Sequence, residues 1–146
     1  MIKILLKCWL GLLLMGGLSG CGKPVSKSEL AGTYVADFGV ATDTLTIEAD
    51  GHFTQTIKVK ADSKTAISNG TWRFDQKERI IRFSTFMRVI DGVDKLLPDF
   101  DNPKTKSPIS LSVRRLLGKL ELGGDDLPWG RRGLEAPYTK LVSTSP

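Results

Sequence analysis

Apolar and polar residues alternate in short runs between residues 32 and 90, and a period of two is typical of half-buried β-strands. The clearest run extends from Asp43 to Ala49. In it, Leu45 and Ile47 share one face with Ala49, while threonines and a glutamate occupy the other face. Several such runs, joined by short or medium loops, predict an antiparallel meander.

The dipeptide Asp50-Gly51 marks a hairpin turn whose length can be argued from the faces of the two strands. A two-residue turn would place Phe53 beside Glu48. A three-residue turn with Gly51 in the left-handed conformation pairs Ile47 with Phe53 and keeps the apolar side chains on one face. The alternation therefore favours the three-residue turn.

The side chains that alternate toward the inner face of the predicted strands are mostly large and apolar. Such side chains can line a cavity for a small apolar or amphipathic ligand, or they can fill a small barrel completely. The candidate ligand-binding residues are Tyr34, Leu45, Ile47, Phe53, Ile57, Trp72, Phe74 and Phe83, and Ile81 and Thr85 are expected to face inward with them.

The alternation breaks between residues 91 and 108, where three prolines and several charged residues make a regular strand improbable. Strands are expected again at 109–113, 119–122 and 138–142, which brings the predicted total to about eight. A second irregular segment, 127–137, precedes the last strand. Loops of this length often carry binding residues, and the candidates here are Leu96, Phe100, Trp129, Arg131 and Arg132.

Three short motifs occur together over residues 32–90. In this combination the chain resembles bacterial lipocalin-like lipoproteins and other small calycin-type barrels. The resemblance implies an up-and-down β-barrel, sometimes with an apolar cavity, although Tyr34 stands where the lipocalin motif carries a tryptophan. The motifs are Gly32-Thr33-Tyr34, Asp50-Gly51-His52-Phe53 and Gly70-Thr71-Trp72.

The N-terminus has the composition of an export signal. Two lysines, Lys3 and Lys7, accompany an apolar stretch from Ile4 to Leu18 that is shorter than the roughly 20 residues of a membrane-spanning helix. The four residues that end at Cys21, Leu-Ser-Gly-Cys, resemble the lipobox of bacterial lipoproteins. That resemblance implies cleavage before the cysteine and a lipid on its thiol.

An ordinary secretory signal and a buried structural cysteine are the competing interpretations of this segment. Gly22, where an aspartate would retain an enteric lipoprotein at the inner membrane, implies by the same resemblance the outer membrane, facing the periplasm. The expected organisation is a signal peptide over 1–20, a lipidated cysteine and tether over 21–31, and a β-barrel domain over 32–146.

The net charge limits the classes of binding partner, and the cysteine content limits how the domain can be stabilised. Removal of Lys3 and Lys7 would lower the formal net charge of +5 to +3, which suits anionic lipid or glycan nearby but is too slight to indicate nucleic acid. Of the two cysteines, Cys8 would leave with the signal and Cys21 would be acylated. The mature domain must therefore fold without a disulfide.

The sequence offers little material for catalysis. His52 is the single histidine, it is expected to face solvent beside a turn, and no zinc ligand set accompanies it. The acid pairs Asp99 and Asp101, and Asp125 and Asp126, are typical of solvated loops. A calcium site formed by Asp91, Asp94, Asp99 and Asp101 is the alternative, but their spacing fits no EF-hand loop. We therefore expect a binding protein rather than an enzyme, with no cofactor and no bound metal.

The densest basic group can be an ordinary solubilising surface or a site for lipid phosphates or an acidic partner. It consists of Arg114, Arg115, Lys119, Arg131 and Arg132. Two functions follow from the sequence. The first is a barrel that holds a small apolar or amphipathic ligand. The alternative is an envelope protein-interaction module, of the assembly, inhibitor or toxin-immunity type, that uses loops 91–108 and 127–137.

Overall fold

A computed structural model describes residues 23–89, 102–123 and 137–142. Its strands are β1 (Gly32–Asp37), β2 (Ala41–Ile47), β3 (His52–Val59), β4 (Thr65–Asp75), β5 (Ile80–Met87), β6 (Lys106–Leu116), β7 (Lys119–Leu122) and β8 (Tyr138–Lys140). A single turn of helix, α1 (Lys27–Leu30), precedes β1, and a 3-10 turn at Pro103–Thr105 precedes β6. Among these residues, no helix has the length and apolar character that a membrane crossing requires.

The eight strands form one closed barrel in chain order. Each strand pairs antiparallel with the next, and β8 pairs with β1 through Tyr34 opposite Lys140 and Val35 opposite Thr139. Closure gives every strand a partner on both sides, although β8 pairs with β1 and with β7 at only two positions each. It therefore shortens the unpaired edge, which is the usual site of edge-to-edge aggregation. The predicted all-β, up-and-down barrel is confirmed.

The connections alternate between the two ends of the barrel. At one end lie the β1–β2, β3–β4, β5–β6 and β7–β8 connections, and we call it the loop end. The opposite end, which we call the plug end, receives the chain from α1 and carries the β2–β3, β4–β5 and β6–β7 turns. Both long segments singled out in the sequence therefore leave from the loop end. The first of them ends earlier than predicted, because β6 begins at Lys106 and includes Pro108, where a regular strand was not expected.

The first hairpin of the predicted meander forms as expected. Ile47 is the register partner of Phe53, and Gly51 has a φ of 99°, a conformation that glycine adopts without a steric cost. The turn places the apolar residues of β2 and β3 on the inner face. The pairing predicted from facing alone is confirmed.

The register of β5 departs from simple alternation. A bulge between Phe83 and Phe86 interrupts the pairing with β6 and turns Phe86 inward, where it is 2% exposed. Thr85, expected on the inner face, is only half-buried, and its hydroxyl donates a 2.7 Å hydrogen bond to the carbonyl of Asn69. The bulge therefore gives the core another aromatic ring in place of a threonine.

The segment expected to be a tether is partly built into the fold. The side chains of Val25 and Leu30 are buried in the core, Leu30 completely. Glu29 Oε2 accepts hydrogen bonds of 2.9 Å and 3.0 Å from the backbone and hydroxyl of Ser26, which closes the turn of α1. The hydroxyl of Tyr34 donates 2.9 Å to the carbonyl of Leu30. The helix thus covers the plug end.

Gly70 marks a close approach between neighbouring strands. It lies opposite Phe53 in the β3–β4 pairing. A Cβ at this position would come within 2.8 Å of Phe53 Cε1 and would also clash with the hydroxyl of Thr85. The absence of a side chain lets the ring of Phe53 lie across β4 inside the barrel.

Candidate functional site

The predicted inward residues fill the interior of the barrel. Of the eight candidate ligand-binding residues, all but Phe74 are buried, and Phe74 packs half-buried against the core. The rings of Phe53 and Phe83 meet edge to face with centroids 4.8 Å apart, and Phe86 lies 5.4 Å from Phe83. These aromatic side chains use one another as partners.

A small cavity lies near the loop end. It measures about 20 Å³ and is lined by Phe38, Phe86, Ile109 and Tyr138 among others. That space holds about one water molecule, whereas sites for small organic ligands measure roughly 300–1,000 Å³. In the described part of the barrel, the inner face provides a core and not a ligand chamber.

A polar cluster is buried toward the loop end. Asp43, Gln55 and Tyr138 come from β2, β3 and β8, and all three are buried. Oδ2 of Asp43 accepts two hydrogen bonds of 2.6 Å, one from Nε2 of Gln55 and one from the hydroxyl of Tyr138. The carboxylate thus connects three strands through the interior.

The amide of Gln55 connects this cluster to a fourth strand. Its Nε2 donates 2.8 Å to the carbonyl of Met87, and its Oε1 accepts 2.9 Å from the backbone N–H of Met87. Met87 is the last residue of β5, directly before the longest connection in the chain. Gln55 therefore holds the point at which the β5–β6 connection leaves the barrel.

The buried position of Asp43 disfavours the ionised form of its carboxyl group. Burial raises the pKa of Asp43 to about 6, although the hydrogen bonds from Tyr138 and Gln55 act in the opposite direction. Oδ1 of Asp43 has no hydrogen-bond partner within the described residues. Burial with one oxygen unsatisfied destabilises the ionised form of Asp43. The protonation of Asp43, and with it the hydrogen bonding of the cluster, is therefore sensitive to pH near neutrality.

Sequence analysis missed Asp43 and Gln55, although their positions carried a signal. Asp43 alternates with Leu45 and Ile47, and Gln55 stands between Phe53 and Ile57, so both belong to the inward row. A polar residue in such a row needs a buried partner. The two residues lie diagonally across the inner faces of β2 and β3, since Asp43 is opposite Ile57 and Gln55 is opposite Leu45, and diagonal neighbours are within reach of long side chains.

Several predicted residues lie outside the described residues, so their roles stay predictions. These are Cys21, Leu96, Phe100, Trp129, Arg131, Arg132 and the acids Asp91, Asp94, Asp99, Asp101, Asp125 and Asp126. Within the described ranges, no group of three metal-ligating side chains comes together. His52 is exposed, as expected, with Nδ1 3.2 Å from Oδ2 of Asp50.

The described members of the predicted basic group have different surroundings. Arg114 Nε donates 2.8 Å to Glu121, and Arg115 donates 2.8 Å to Glu29 of α1. Lys119 is exposed at the start of β7. Two of the arginines thus join structural elements, and Arg115 in particular fastens α1 to β6.

The plug end exposes apolar side chains beside these basic residues. Leu116 and Leu117 at the β6–β7 turn are 50% and 95% exposed, and Leu141 and Val142 after β8 are 53% and 72% exposed. An open groove of about 690 Å³ runs between the two segments. This surface was not predicted, because it depends on the closure of the barrel.

Comparison of the chain with protein-family models, with curated proteins and with solved structures finds no match.

Proposed function

We propose that the protein is an envelope lipoprotein, anchored through Cys21 to the outer membrane and facing the periplasm, whose barrel presents two long loops to another protein. The geometry that carries this proposal is the placement of the β5–β6 and β7–β8 connections at the loop end, opposite the entry of the N-terminal segment. A rigid barrel with long loops at one end is a common arrangement for binding.

The two connections are far longer than closure of the barrel requires. Met87 and Lys106 are register partners, as are Leu122 and Tyr138, so each connection joins neighbouring backbone positions. The connections nevertheless contain 18 and 15 residues, against two to five for the other five. A hairpin needs only about two to five residues, so the additional length serves something other than topology.

The filled interior supports binding at the loops over binding inside the barrel. A small apolar ligand in the interior would have to displace Phe53, Phe83 or Phe86 from their mutual contacts. Native mass spectrometry of residues 22–146 purified from the periplasm tests that alternative. A bare polypeptide mass supports the loop proposal, and a co-purified small mass released on denaturation favours the ligand.

The N-terminal segment gives the proposed orientation. Lys23 is the first described residue, and two residues of chain span at most about 7 Å between it and Cys21. Because α1 covers the plug end, a lipid on Cys21 would hold that end toward the membrane. The loop end would then project into the periplasm.

Lipidation is tested directly by metabolic labelling with radioactive palmitate in a bacterial host. The wild-type protein should incorporate label and fractionate with the outer membrane, and Cys21→Ala should lose both properties. Cys8→Ala is the matched control and should behave as wild type. Label retained in Cys21→Ala would contradict the proposed anchor.

Partner binding is tested by site-specific photocrosslinking in living cells. A photoreactive amino acid at position 96 or 129 should give one discrete adduct, and the same amino acid at Lys64, in the short β3–β4 connection of the loop end, should not. In the protein with the photoreactive amino acid at position 129, replacement of residues 91–101 by a Gly-Ser linker should abolish the adduct while the thermal unfolding transition persists. Adducts that are equal at all three positions would contradict the proposal.

A further inference from the structure

We propose that a patch on the plug end docks onto an anionic phospholipid bilayer. We call it the docking patch, and it consists of Leu116, Leu117, Lys119, Lys140, Leu141 and Val142. The proposal draws on the anchor at Cys21 only for the proximity of a membrane. The contact itself is argued from the exposed side chains, their charge and their position on the ring of strands.

The β6–β7 turn presents an apolar side chain at a conformational cost. Leu116 pairs with Lys119, so the turn contains only two residues, and both have positive φ, 48° at Leu117 and 80° at Gly118. Turns of this kind favour Asn-Gly, because a leucine is strained at positive φ. Leu117 is 95% exposed, so no packing within the described fold offsets that strain. Ser63 and Arg79 have similar φ values, 59° and 55°, in other short connections, so the exposed apolar side chain is what distinguishes Leu117.

The charges beside these leucines suit a lipid headgroup region. Lys119 and Lys140 both line the groove between the β6–β7 turn and the residues that follow β8. Lys119 is exposed, whereas Lys140 is half-buried, donates a hydrogen bond to the carbonyl of Glu29 and lies 5.8 Å from the centre of the Tyr34 ring. Lys119 therefore supplies the more accessible charge. Exposed apolar side chains flanked by lysines are the usual combination in segments that lie on anionic membranes.

The turn on the opposite side of the plug end carries two acids, with Lys27 of α1 nearby, 5.3 Å from the centre of the Trp72 ring that donates a hydrogen bond to the carbonyl of Glu48. The β2–β3 turn carries exposed Glu48 and Asp50 without a lysine or arginine, and it lies across the ring of eight strands from the β6–β7 turn. An anionic surface repels these acids while it attracts Lys119 and Lys140. The barrel is therefore expected to sit tilted, with the sector of β6, β7 and β8 nearest the bilayer.

Depth-dependent fluorescence quenching tests this tilted orientation in the lipidated protein. Leu117→Cys, Ala49→Cys and Ala61→Cys, each labelled with an environment-sensitive fluorophore, are reconstituted into phosphatidylethanolamine–phosphatidylglycerol vesicles that contain brominated lipid. We expect strong quenching at position 117, weaker quenching at 49 in the acidic turn, and none at 61 in the loop end. Equal quenching at 117 and 49, or none at 117, would overturn the proposal.

A second measurement does not depend on the anchor. The mature chain with Cys21→Ser is sedimented with phosphatidylglycerol vesicles, and Leu116→Ser/Leu117→Ser should weaken its binding by about tenfold or more, since two apolar side chains lose their contact with lipid. Ile67→Ser removes an exposed apolar side chain from β4 and is the matched control, which should leave binding unchanged. Equal binding by all variants would overturn the proposal.

The outcomes separate the two proposals. If the wild-type chain incorporates no palmitate but the Cys21→Ser chain still sediments with phosphatidylglycerol vesicles through Leu116 and Leu117, the anchor proposal fails and the docking patch stands. If the leucine variants instead prevent a concentration-dependent dimer without any effect on vesicle binding, the patch binds a second copy of the chain. That result would overturn docking on a bilayer.

Discussion

The hydroxyl of Tyr138 donates a 2.6 Å hydrogen bond to Oδ2 of Asp43, and this bond joins the last strand of the barrel to the second through the interior. The two residues are 95 positions apart in the chain. Because β8 contains only three residues, a buried bond to a charged partner is a substantial part of what holds it in place. The bond also lies where the β7–β8 connection returns to the barrel.

Removal of this hydroxyl should destabilise the protein more strongly at high pH. Tyr138→Phe leaves the buried carboxylate of Asp43 with one fewer donor, so we expect a loss of about 2 kcal/mol in the free energy of unfolding at pH 8 and less at pH 5. Urea denaturation at both pH values measures it. Tyr34→Phe, which removes a hydroxyl bonded to the carbonyl of Leu30, is the control. Its loss should be about 1 kcal/mol at both pH values, and an equal pH dependence in the two variants would contradict the assignment.

Asp43 should make the stability fall as pH rises from about 4 to 7. Burial raises its pKa from 3.8 to about 6, so between these values the folded state binds the proton more tightly than the unfolded state. The free energy of unfolding should therefore decrease by up to about 3 kcal/mol across this window and stay lower above it. Denaturant titration at several pH values should show the decrease in the wild type and not in Asp43→Asn.

The control for this titration is Asp37→Asn. The hydrogen bond from Lys60 holds the pKa of Asp37 below its usual value, so its stabilisation is present above pH 4 and is lost as the pH falls further. Asp37→Asn should therefore keep the wild-type decrease between pH 4 and 7. If Asp43→Asn also keeps it, the buried acid is not its cause.

Gly70 should not tolerate a side chain. Gly70→Ala places a methyl group against the ring of Phe53 and the hydroxyl of Thr85, and we expect it to cost about 2 kcal/mol of stability. The control is the double variant Phe53→Leu/Gly70→Ala, in which the smaller side chain at 53 removes the contact with the ring while the contacts with the hydroxyls of Ser84 and Thr85 remain. Thermal unfolding should show that the two changes cost less together than the sum of the single losses. Strict additivity would contradict a steric conflict between these positions.

Leu30 should contribute to the stability of the barrel, although it precedes the first strand. Its side chain is fully buried, so Leu30→Ala should reduce the free energy of unfolding by about 3 kcal/mol. Ser28→Ala, at an exposed position of the same helix, should change it by less than about 0.5 kcal/mol. Equal stability of the two variants would show that α1 acts as a tether and not as part of the core.

The amino-acid sequence by itself determined the central part of most strands and the first hairpin. Alternation of apolar and polar residues is a local property with a period of two, and it fixed which face of β2 and β3 is buried. The turn at Gly51 then followed, because only one loop length brings Ile47 opposite Phe53. The number of strands and the up-and-down order also came from local patterns and from the length of the loops between them.

The tertiary structure decided how distant segments use these strands. Closure of β8 on β1 brings Tyr138 to Asp43, and the bulge in β5 replaces Thr85 by Phe86 on the inner face. The helix that contains Leu30 is too short to show a helical period in the sequence, and it forms because the plug end of the barrel buries that side chain. Local patterning carries no information about such contacts, because they join residues that meet only when the barrel closes.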